Sequence, residues 1–184
     1  MNKTTRILTH GAIMVALATI LSLFTLYKLP NGGSVTFASM VPIIVISLMY
    51  PFRWALLTAF AYSLVQMLLG FAPPPTQDFL SFAAVVLLDY VLAFTCLCLA
   101  GPIARRIGRP GAGAVVGSCV VTLLRLCCSF LSGILIWDVY APEGTPVWLY
   151  SITYNGSYMI PEMIVTAVVA ALIVKYVPLK RLAA

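Results

Sequence analysis

The stretch WDVYAPEGTPVWLYSITYNGSYMIPE, residues 137–162, joins two long apolar runs and is unusually rich in rings and polar groups. It holds two of the three Trp, four of the nine Tyr, Asn155 and three acidic residues. Rings beside an amide and carboxylates can stack on a flat polar molecule and hydrogen-bond to it. Trp and Tyr are also typical of the headgroup level of a bilayer. This stretch therefore indicates either a ligand site or an aromatic belt.

The chain around this stretch is strongly apolar. Of its 184 residues, 62% are hydrophobic and 9% are charged, whereas soluble domains carry about 25% charged residues. We predict an all-α integral membrane protein, and the continuous apolar runs do not fit the alternation of a membrane barrel. At about 20 apolar residues per span, there is room for roughly six helices. The pattern predicts one domain, 1–184, with transmembrane helices at 7–27, 37–50, 54–70, 79–104, 114–137 and 157–177.

The distribution of basic residues predicts the orientation in the membrane. They fall at both termini and in the links that follow the second and fourth predicted helices, whereas the other connections, 28–36, 71–78 and 138–156, hold only Lys28. By the positive-inside rule, we expect both termini to lie in the cytoplasm. The chain would then be a multi-pass protein of the plasma membrane. The net charge of +6 is explained by this topology and gives no reason to expect nucleic acid. The inner residues are Lys3, Arg6, Arg53, Arg105, Arg106, Arg109, Lys175, Lys180 and Arg181.

Motifs of enzymes and metal sites are missing from the sequence. The five cysteines lie in apolar runs without C-x-x-C spacing, and His10 is the single histidine. We therefore expect no metal and no cofactor, with the cysteines acting as small packing residues. The sequence has no phosphate-binding G-x-x-x-x-G-K-[ST] and no G-x-S-x-G. An enzyme is a poor fit, and the chain has no ATP-hydrolysing motif of its own.

Three ionisable residues fall inside predicted spans: Asp89, Arg125 and Glu162. Each costs at least about 2.5 kcal/mol at the bilayer centre, so such residues face the bundle interior and have a partner or a function. Arg125 can neutralise one carboxylate only. The other must be protonated, or meet water or a cation. The charge count therefore favours a cationic ligand, with an Arg–carboxylate pair and one protonated acid as the structural alternative.

Helical spacing brings these groups toward one pocket. At 100° per residue, Ser129, Gly133 and Trp137 share a face of the fifth predicted helix. On the sixth, Tyr158 shares a face with Glu162. We predict a pocket between the last three helices that opens outward beneath 138–156.

The first predicted helix carries a small-residue face. Ala12 and Ala16 stand four residues apart, a spacing that lets another helix approach closely. The sequence leaves open whether that helix belongs to a partner or to the same bundle.

Several motifs resemble the thiamine-specific S component of energy-coupling factor (ECF) transporters. They are Leu29-Pro-Asn-Gly-Gly-Ser-Val35, Ser132-Gly133 followed by Trp137, and the run from Trp148 to Glu162. The resemblance covers nearly the whole chain. It implies a six-helix vitamin-binding subunit that works with a transmembrane coupling protein and two ATPases, and that docks through Ala12 and Ala16.

The resemblance also implies ligand-binding residues. It assigns the thiamine rings to Asp89-Tyr90, Trp137, Tyr150 and Asn155, and it places a basic residue at Arg125. This chain has Asp89, Ser129 and Leu126 where the family usually has Glu, His and Tyr. The implied ligand is thiamine or a close relative, with another vitamin or precursor such as hydroxymethylpyrimidine as the alternative. A free-standing small membrane transporter is the alternative from a different class. The complete predicted ligand-binding set is Asp89, Tyr90, Arg125, Ser129, Trp137, Tyr150, Asn155, Tyr158 and Glu162.

Overall fold

The computed structural model describes residues 2–30, 32–76 and 78–183, so Asn31 of the loop motif lies outside the described residues. Within these ranges, five helices are long and apolar enough to cross a membrane. Three shorter helices accompany them: α2 (Val41–Met49), a 3₁₀-helix at Asp138–Tyr140, and α7 (Leu179–Ala183). The fold is therefore an α-helical membrane bundle, as predicted. The five long helices are α1 (Lys3–Leu23), α3 (Phe52–Gly70), α4 (Phe79–Ile107), α5 (Pro110–Leu135) and α6 (Val147–Tyr176).

The second predicted transmembrane helix, 37–50, is represented by α2, which has only nine residues. At 1.5 Å per residue such a helix is about 13 Å long, less than half the hydrocarbon thickness of a bilayer. Every position from Val41 to Ser47 is buried. A helix that is apolar on all sides belongs in the interior of a bundle, and α2 is accordingly surrounded by the long helices.

A β-hairpin replaces the end of the first predicted helix. We expected helix as far as Tyr27, but α1 ends at Leu23 and the chain continues as β1 (Thr25–Lys28), antiparallel to β2 (Ser34–Thr36). Thr25 pairs with Thr36, and Lys28 pairs with Ser34. Two short β-prone runs around a Pro- and Gly-containing turn favour a hairpin. The helical boundary was therefore wrong because apolar composition alone does not distinguish a helix end from a strand.

Helix α4 is irregular at its centre. It begins after Asp78, whose side chain accepts the Ser81 N–H at 2.9 Å and caps the helix. This bond to the ionised form holds the pKa of the Asp78 carboxyl below its usual value. Val86–Leu92 is wound as a π-helix and Cys96–Leu99 as a 3₁₀-helix. The helix runs beyond the predicted residue 104 to Ile107, where Gly108 with φ of 72° ends it.

The last two long helices begin earlier than predicted. Helix α5 starts at Pro110 rather than 114 and ends at Leu135 rather than 137. Helix α6 starts at Val147 rather than 157, so most of the predicted outer loop is helical. Asn155-Gly156 is a turn signal in many sequences, but here it lies within α6. The third predicted helix, 54–70, agrees with α3 to within two residues.

Candidate ligand-binding site

Asp89, Ser132 and Trp137 form a hydrogen-bonded triangle between α4 and the end of α5. The Ser132 hydroxyl donates to Asp89 Oδ2 at 2.8 Å, and the Trp137 indole N–H lies 3.0 Å from the same oxygen. The indole nitrogen is also 3.0 Å from Ser132 Oγ. Asp89 reaches this position from the π-helical turn of α4, a distortion that is frequent at functional sites. Among the described residues, Asp89 Oδ1 has no hydrogen-bond partner.

Trp137 follows directly on the end of α5. Its backbone N–H and that of Ile136 both donate to the Ser132 carbonyl, at 3.4 and 2.9 Å. The indole stacks on Tyr140, with ring centroids 6.1 Å apart and planes inclined by 24°. Tyr140 covers one face of the indole, so stacking of a ligand ring is restricted to the opposite face.

Asn155 is the polar centre of the facing helix α6. It is buried, and its Nδ2 donates to the carbonyl oxygens of Ser151 and Ser129 at 2.9 and 3.3 Å. Its Oδ1 accepts the Tyr158 hydroxyl at 2.7 Å. The bond to the Ser129 carbonyl joins α6 to α5. The Asn155 amide therefore fixes the relative position of the two helices at the site.

Gly133 allows α5 and α6 to approach each other at this level. A Cβ added there would lie 2.2 Å from Ser151 Oγ and 3.3 Å from Asn155 Nδ2. Ser151 itself donates to the Phe130 carbonyl at 2.9 Å. Only glycine at position 133 leaves room for α5 and α6 to lie this close. Their approach brings Asn155 next to the face of α5 that carries Ser132.

Three tyrosines form a row along α6. Tyr150 stacks on Tyr154 at 5.8 Å, and Tyr154 meets Tyr158 edge-on at 5.9 Å. The hairpin turn covers the row, because the Gly33 N–H donates to the Tyr154 hydroxyl at 3.1 Å. The predicted residues Tyr150 and Tyr158 thus belong to one aromatic wall.

Glu162 is one turn deeper on α6 and is buried. Its carboxylate accepts two bonds from Thr36 of β2, from the backbone N–H and from the hydroxyl, both at 2.6 Å. Ser39 lies 2.7 Å from the same hydroxyl. The charge count left open which of Asp89 and Glu162 lacks a partner, and Glu162 is bonded to the hairpin.

Arg125 makes no ion pair in the described part of the chain. Its guanidinium donates to Met40 Sδ at 3.2 Å and lies 4.3 Å above the centre of the Phe94 ring. The structure therefore shows neither of the two pairings that the charge count allowed, with Asp89 or with Glu162. Instead of an ion pair, a cation–π contact with Phe94 stabilises the partly buried charge.

Tyr90 is buried but turns its hydroxyl toward the end of α3. The hydroxyl donates to the Gly70 carbonyl at 2.7 Å and accepts the Ala72 N–H at 2.9 Å. Phe71 stacks on its ring at 5.8 Å. The structure thus brings Asp89 and Trp137 into direct contact, whereas the polar end of Tyr90 bonds to the 70–72 segment.

Sequence reasoning missed the residues that hold the predicted ones in place. Ser132, Ser151 and Thr36 are all buried and make side-chain hydrogen bonds to predicted site residues. Ser132 belongs to the motif of Ser132-Gly133 followed by Trp137, but it was not predicted as a ligand-binding residue. Thr36 had no signal, because its role depends on a hairpin that the hydrophobic pattern did not predict.

The predicted small residues of α1 lie on an open surface. Ala12 and Ala16 line an apolar groove of about 660 Å³ between α1 and α3, together with Leu57 and Ala61. Gly11 contributes to the same groove and faces Thr58, where an added Cβ would lie 3.0 Å from the hydroxyl. The groove thus lies on the surface of the bundle, where another helix can reach it.

The described residues contain no group of three or more His, Cys, Asp or Glu side chains that could hold a metal ion. The five cysteines are all free and are distributed over α4 and α5.

Comparison with known proteins agrees with this architecture. The sequence profile of a family described as thiamine transporter protein (Thia_YuaJ) matches residues 8–181. The chain is 34% identical to thiamine transporter ThiT of Bacillus subtilis (strain 168) over 180 residues, covering 91% of this chain and 89% of the relative. It is 26% identical to thiamine transporter ThiT of Lacticaseibacillus paracasei (strain ATCC 334) over 156 residues, covering 76% and 72%.

A solved structure has the same fold. ThiT from Listeria monocytogenes superposes with a TM-score of 0.79 at 23% identity, covering 99% of each chain. The match to a thiamine transporter family, together with the apolar spans, defines a multi-pass plasma-membrane transport protein, not an enzyme. More particularly, the chain belongs to the thiamine transporter family, whose profile spans nearly its full length.

Proposed function

We propose that this chain is the substrate-binding S component of an ECF-type importer and that it captures thiamine from outside the cell. The observation that carries the proposal is the triangle of Asp89, Ser132 and Trp137 opposite Asn155. It offers a carboxylate, a stacking ring and an amide within a membrane bundle. The names of the two curated relatives, both thiamine transporters, support the same ligand.

The chemistry of thiamine matches these groups. Its thiazolium ring carries a fixed positive charge, and Asp89 Oδ1 has no partner among the described residues. Its aminopyrimidine is flat and suits the open face of Trp137. Asn155 Oδ1 accepts one bond from Tyr158 and keeps a second lone pair. We assign Tyr150 and Ser129 to the same pocket, with Arg125 at its deep end, and we assign Tyr90, Tyr158 and Glu162 to its supporting wall.

Thiamine itself is the favoured ligand, and hydroxymethylpyrimidine is the alternative. The departures at Ser129 and Leu126 remove polar reach from the pocket, which suits a smaller ring system as well. Native mass spectrometry of the purified protein with its retained ligand, followed by calorimetric titration with both compounds, tests the proposal. Retained thiamine and tighter binding of thiamine support it. Tighter binding of hydroxymethylpyrimidine would make it the assigned ligand instead of thiamine. If neither compound binds, the proposal is overturned.

We further propose that the chain crosses the membrane six times and has both termini in the cytoplasm. Two contacts support a crossing by the segment that contains α2. The Phe37 N–H donates to the Phe24 carbonyl at one end of α1, and His10 Nδ1 lies 2.6 Å from the Tyr50 hydroxyl near the other. His10 and Phe24 are 14 positions apart, about 21 Å along a helix. Cysteine labelling tests this arrangement, because position 143 should be accessible from outside and position 109 should not.

The groove of Ala12 and Ala16 is proposed as the docking surface for the transmembrane coupling protein. It lies on the outside of the bundle, and small residues allow a partner helix to approach closely. We propose that two ATPase subunits in the same complex supply the energy, as the resemblance to ECF transporters implies. Co-purification from the native membrane tests this, since a free-standing transporter would bring neither the coupling protein nor the ATPases with it.

A further inference from the structure

Ser132 holds Trp137 through its backbone and its side chain at once. The Ser132 carbonyl accepts the backbone N–H groups of Ile136 and Trp137, and the Ser132 hydroxyl lies 3.0 Å from the Trp137 indole nitrogen. Ser132 is completely buried. The backbone bonds place the Cα of Trp137, and the hydroxyl fixes the edge of its ring.

The proton arrangement of the triangle follows from the inventory of donors. An indole N–H donates only, an ionised carboxylate accepts only, and a hydroxyl has one proton and two lone pairs. The Ser132 hydroxyl therefore donates its proton to Asp89 Oδ2 at 2.8 Å. The Trp137 indole N–H is shared between two acceptors, Asp89 Oδ2 and Ser132 Oγ. Ser132 is the only one of the three groups that both donates and accepts, so the arrangement depends on it.

The edge held by Ser132 determines where the free face of the indole points. Tyr140 stacks on one face of the ring, and the triangle restrains its nitrogen edge. Rotation about the side-chain bonds would break two hydrogen bonds and the stack together. The ring is therefore oriented before any ligand arrives, and pre-organisation of this kind contributes to affinity by lowering the ordering cost of binding.

We propose that Ser132 is a positioning residue for ligand binding, which acts by fixing the indole plane of Trp137 in one orientation. This inference rests on the proposed thiamine site. Ser132 need not touch the ligand. Its effect on binding passes through the indole N–H of Trp137. That dependence separates it from a serine that merely fills space in α5.

A double-replacement experiment tests the dependence. Ser132→Ala is combined with replacement of Trp137 by β-(3-benzothienyl)alanine, a ring of the same shape that has sulfur in place of the N–H. With the native indole, Ser132→Ala should weaken thiamine binding roughly 10-fold, close to the upper end of the scale for a lost hydrogen bond between uncharged groups. With the benzothienyl ring already present, the same change should cost less than about 2-fold, because the N–H is gone.

Ser118→Ala is the matched control. Ser118 lies on the same helix and is equally buried, and its Oγ has no hydrogen-bond partner in the described ranges; its loss should leave affinity unchanged. Ser132→Thr, which keeps the hydroxyl, should retain most of the binding.

Two results would overturn the inference. One is an equal loss from Ser132→Ala with either ring, which would mean that Ser132 acts through packing or through Asp89 and not through the indole. The other, available even if Ser132→Ala does not fold, is native affinity in the protein that carries only the benzothienyl ring. Failure of the proposed function is distinguishable, because the unmodified protein would then not bind thiamine at all.

Discussion

Thr36 gives both its backbone N–H and its hydroxyl to the Glu162 carboxylate, each at 2.6 Å, although 126 positions separate the two residues in the chain. The contact ties the β-hairpin to the middle of α6. Because Glu162 is buried, an unmet acceptor there would be costly. The hairpin and the deep part of the site therefore form one unit.

Thr36→Val should loosen this unit. The change keeps the shape and removes the hydroxyl, which costs about 1.5–3 kcal/mol for a hydrogen bond to a charged group. We expect amide hydrogen exchange over 34–36 to accelerate roughly 10- to 100-fold, since exchange reports the free energy of local opening. Thr25→Val is the control, because Thr25 pairs with Thr36 in the hairpin but is exposed. Equal exchange in the two variants would show that the Glu162 bond does not hold the hairpin.

Gly133→Ala should separate α5 from α6 at the site. The new methyl group would lie 2.2 Å from Ser151 Oγ, and overpacking of this kind costs about 1–3 kcal/mol. Thermal unfolding should shift downward, and thiamine affinity should fall as Asn155 moves. Gly111→Ala, on the same helix with nothing within 4 Å, should leave both unchanged. If the two variants unfold alike, the close contact at Gly133 is not required.

The sequence predicted the class of fold well, because the free energy of burying apolar surface in lipid dominates. Five of the six predicted helices correspond to long apolar helices, and Asp89 and Trp137, predicted as parts of one site, are in hydrogen-bonding contact. The sequence could not predict where helices end, because Phe24, Leu26 and Tyr27 extend the apolar run of α1 into β1. Nor could it predict that Arg125 lies over Phe94 rather than beside an acid, since a count of charges does not show which group a cation contacts.

Trp137→Ala should weaken thiamine binding by about 1–3 kcal/mol, the scale for loss of an aromatic stacking partner of a heterocyclic base. Trp137 is half-buried and hydrogen-bonded at the site, whereas Trp148 is 57% exposed on the surface. Trp148→Ala should therefore leave affinity unchanged in calorimetric titration. Equal losses at both positions would indicate general destabilisation rather than a slot for a ring.

Ala12→Trp or Ala16→Trp should block uptake and leave thiamine binding intact. Both positions line the groove on the outside of α1 and α3, where an indole would fill the space meant for a partner helix. Ile13→Trp is the control, because Ile13 is 56% exposed on α1 but is not part of the groove. Uptake of labelled thiamine into cells and titration of the purified variants are the two measurements. Loss of binding in the Ala12 or Ala16 variant would place these residues in the internal packing instead.

Asp89→Asn tests whether the ligand is recognised by charge. The amide oxygen of Asn can still accept the Trp137 indole N–H, which lies 3.0 Å from the carboxylate in the native protein, so the ring keeps its support while the negative charge is removed. Arg125 makes no ion pair within the described residues, and so does not neutralise Asp89 directly. The change should cost thiamine more than about 2 kcal/mol, the range for truncating one partner of a buried charge pair. It should cost the neutral hydroxymethylpyrimidine much less.

Asp89→Glu is the companion to that change. It restores the longer side chain usual in the family and should keep or improve the affinity for thiamine, because the charge remains and the reach toward the thiazolium increases. Both variants and the native protein are titrated with the two compounds by calorimetry. If Asp89→Asn binds thiamine as tightly as the native protein does, the carboxylate serves only to support Ser132 and Trp137. The positive charge of the ligand would then have to be met elsewhere, with the buried carboxylate of Glu162 as the next group to test.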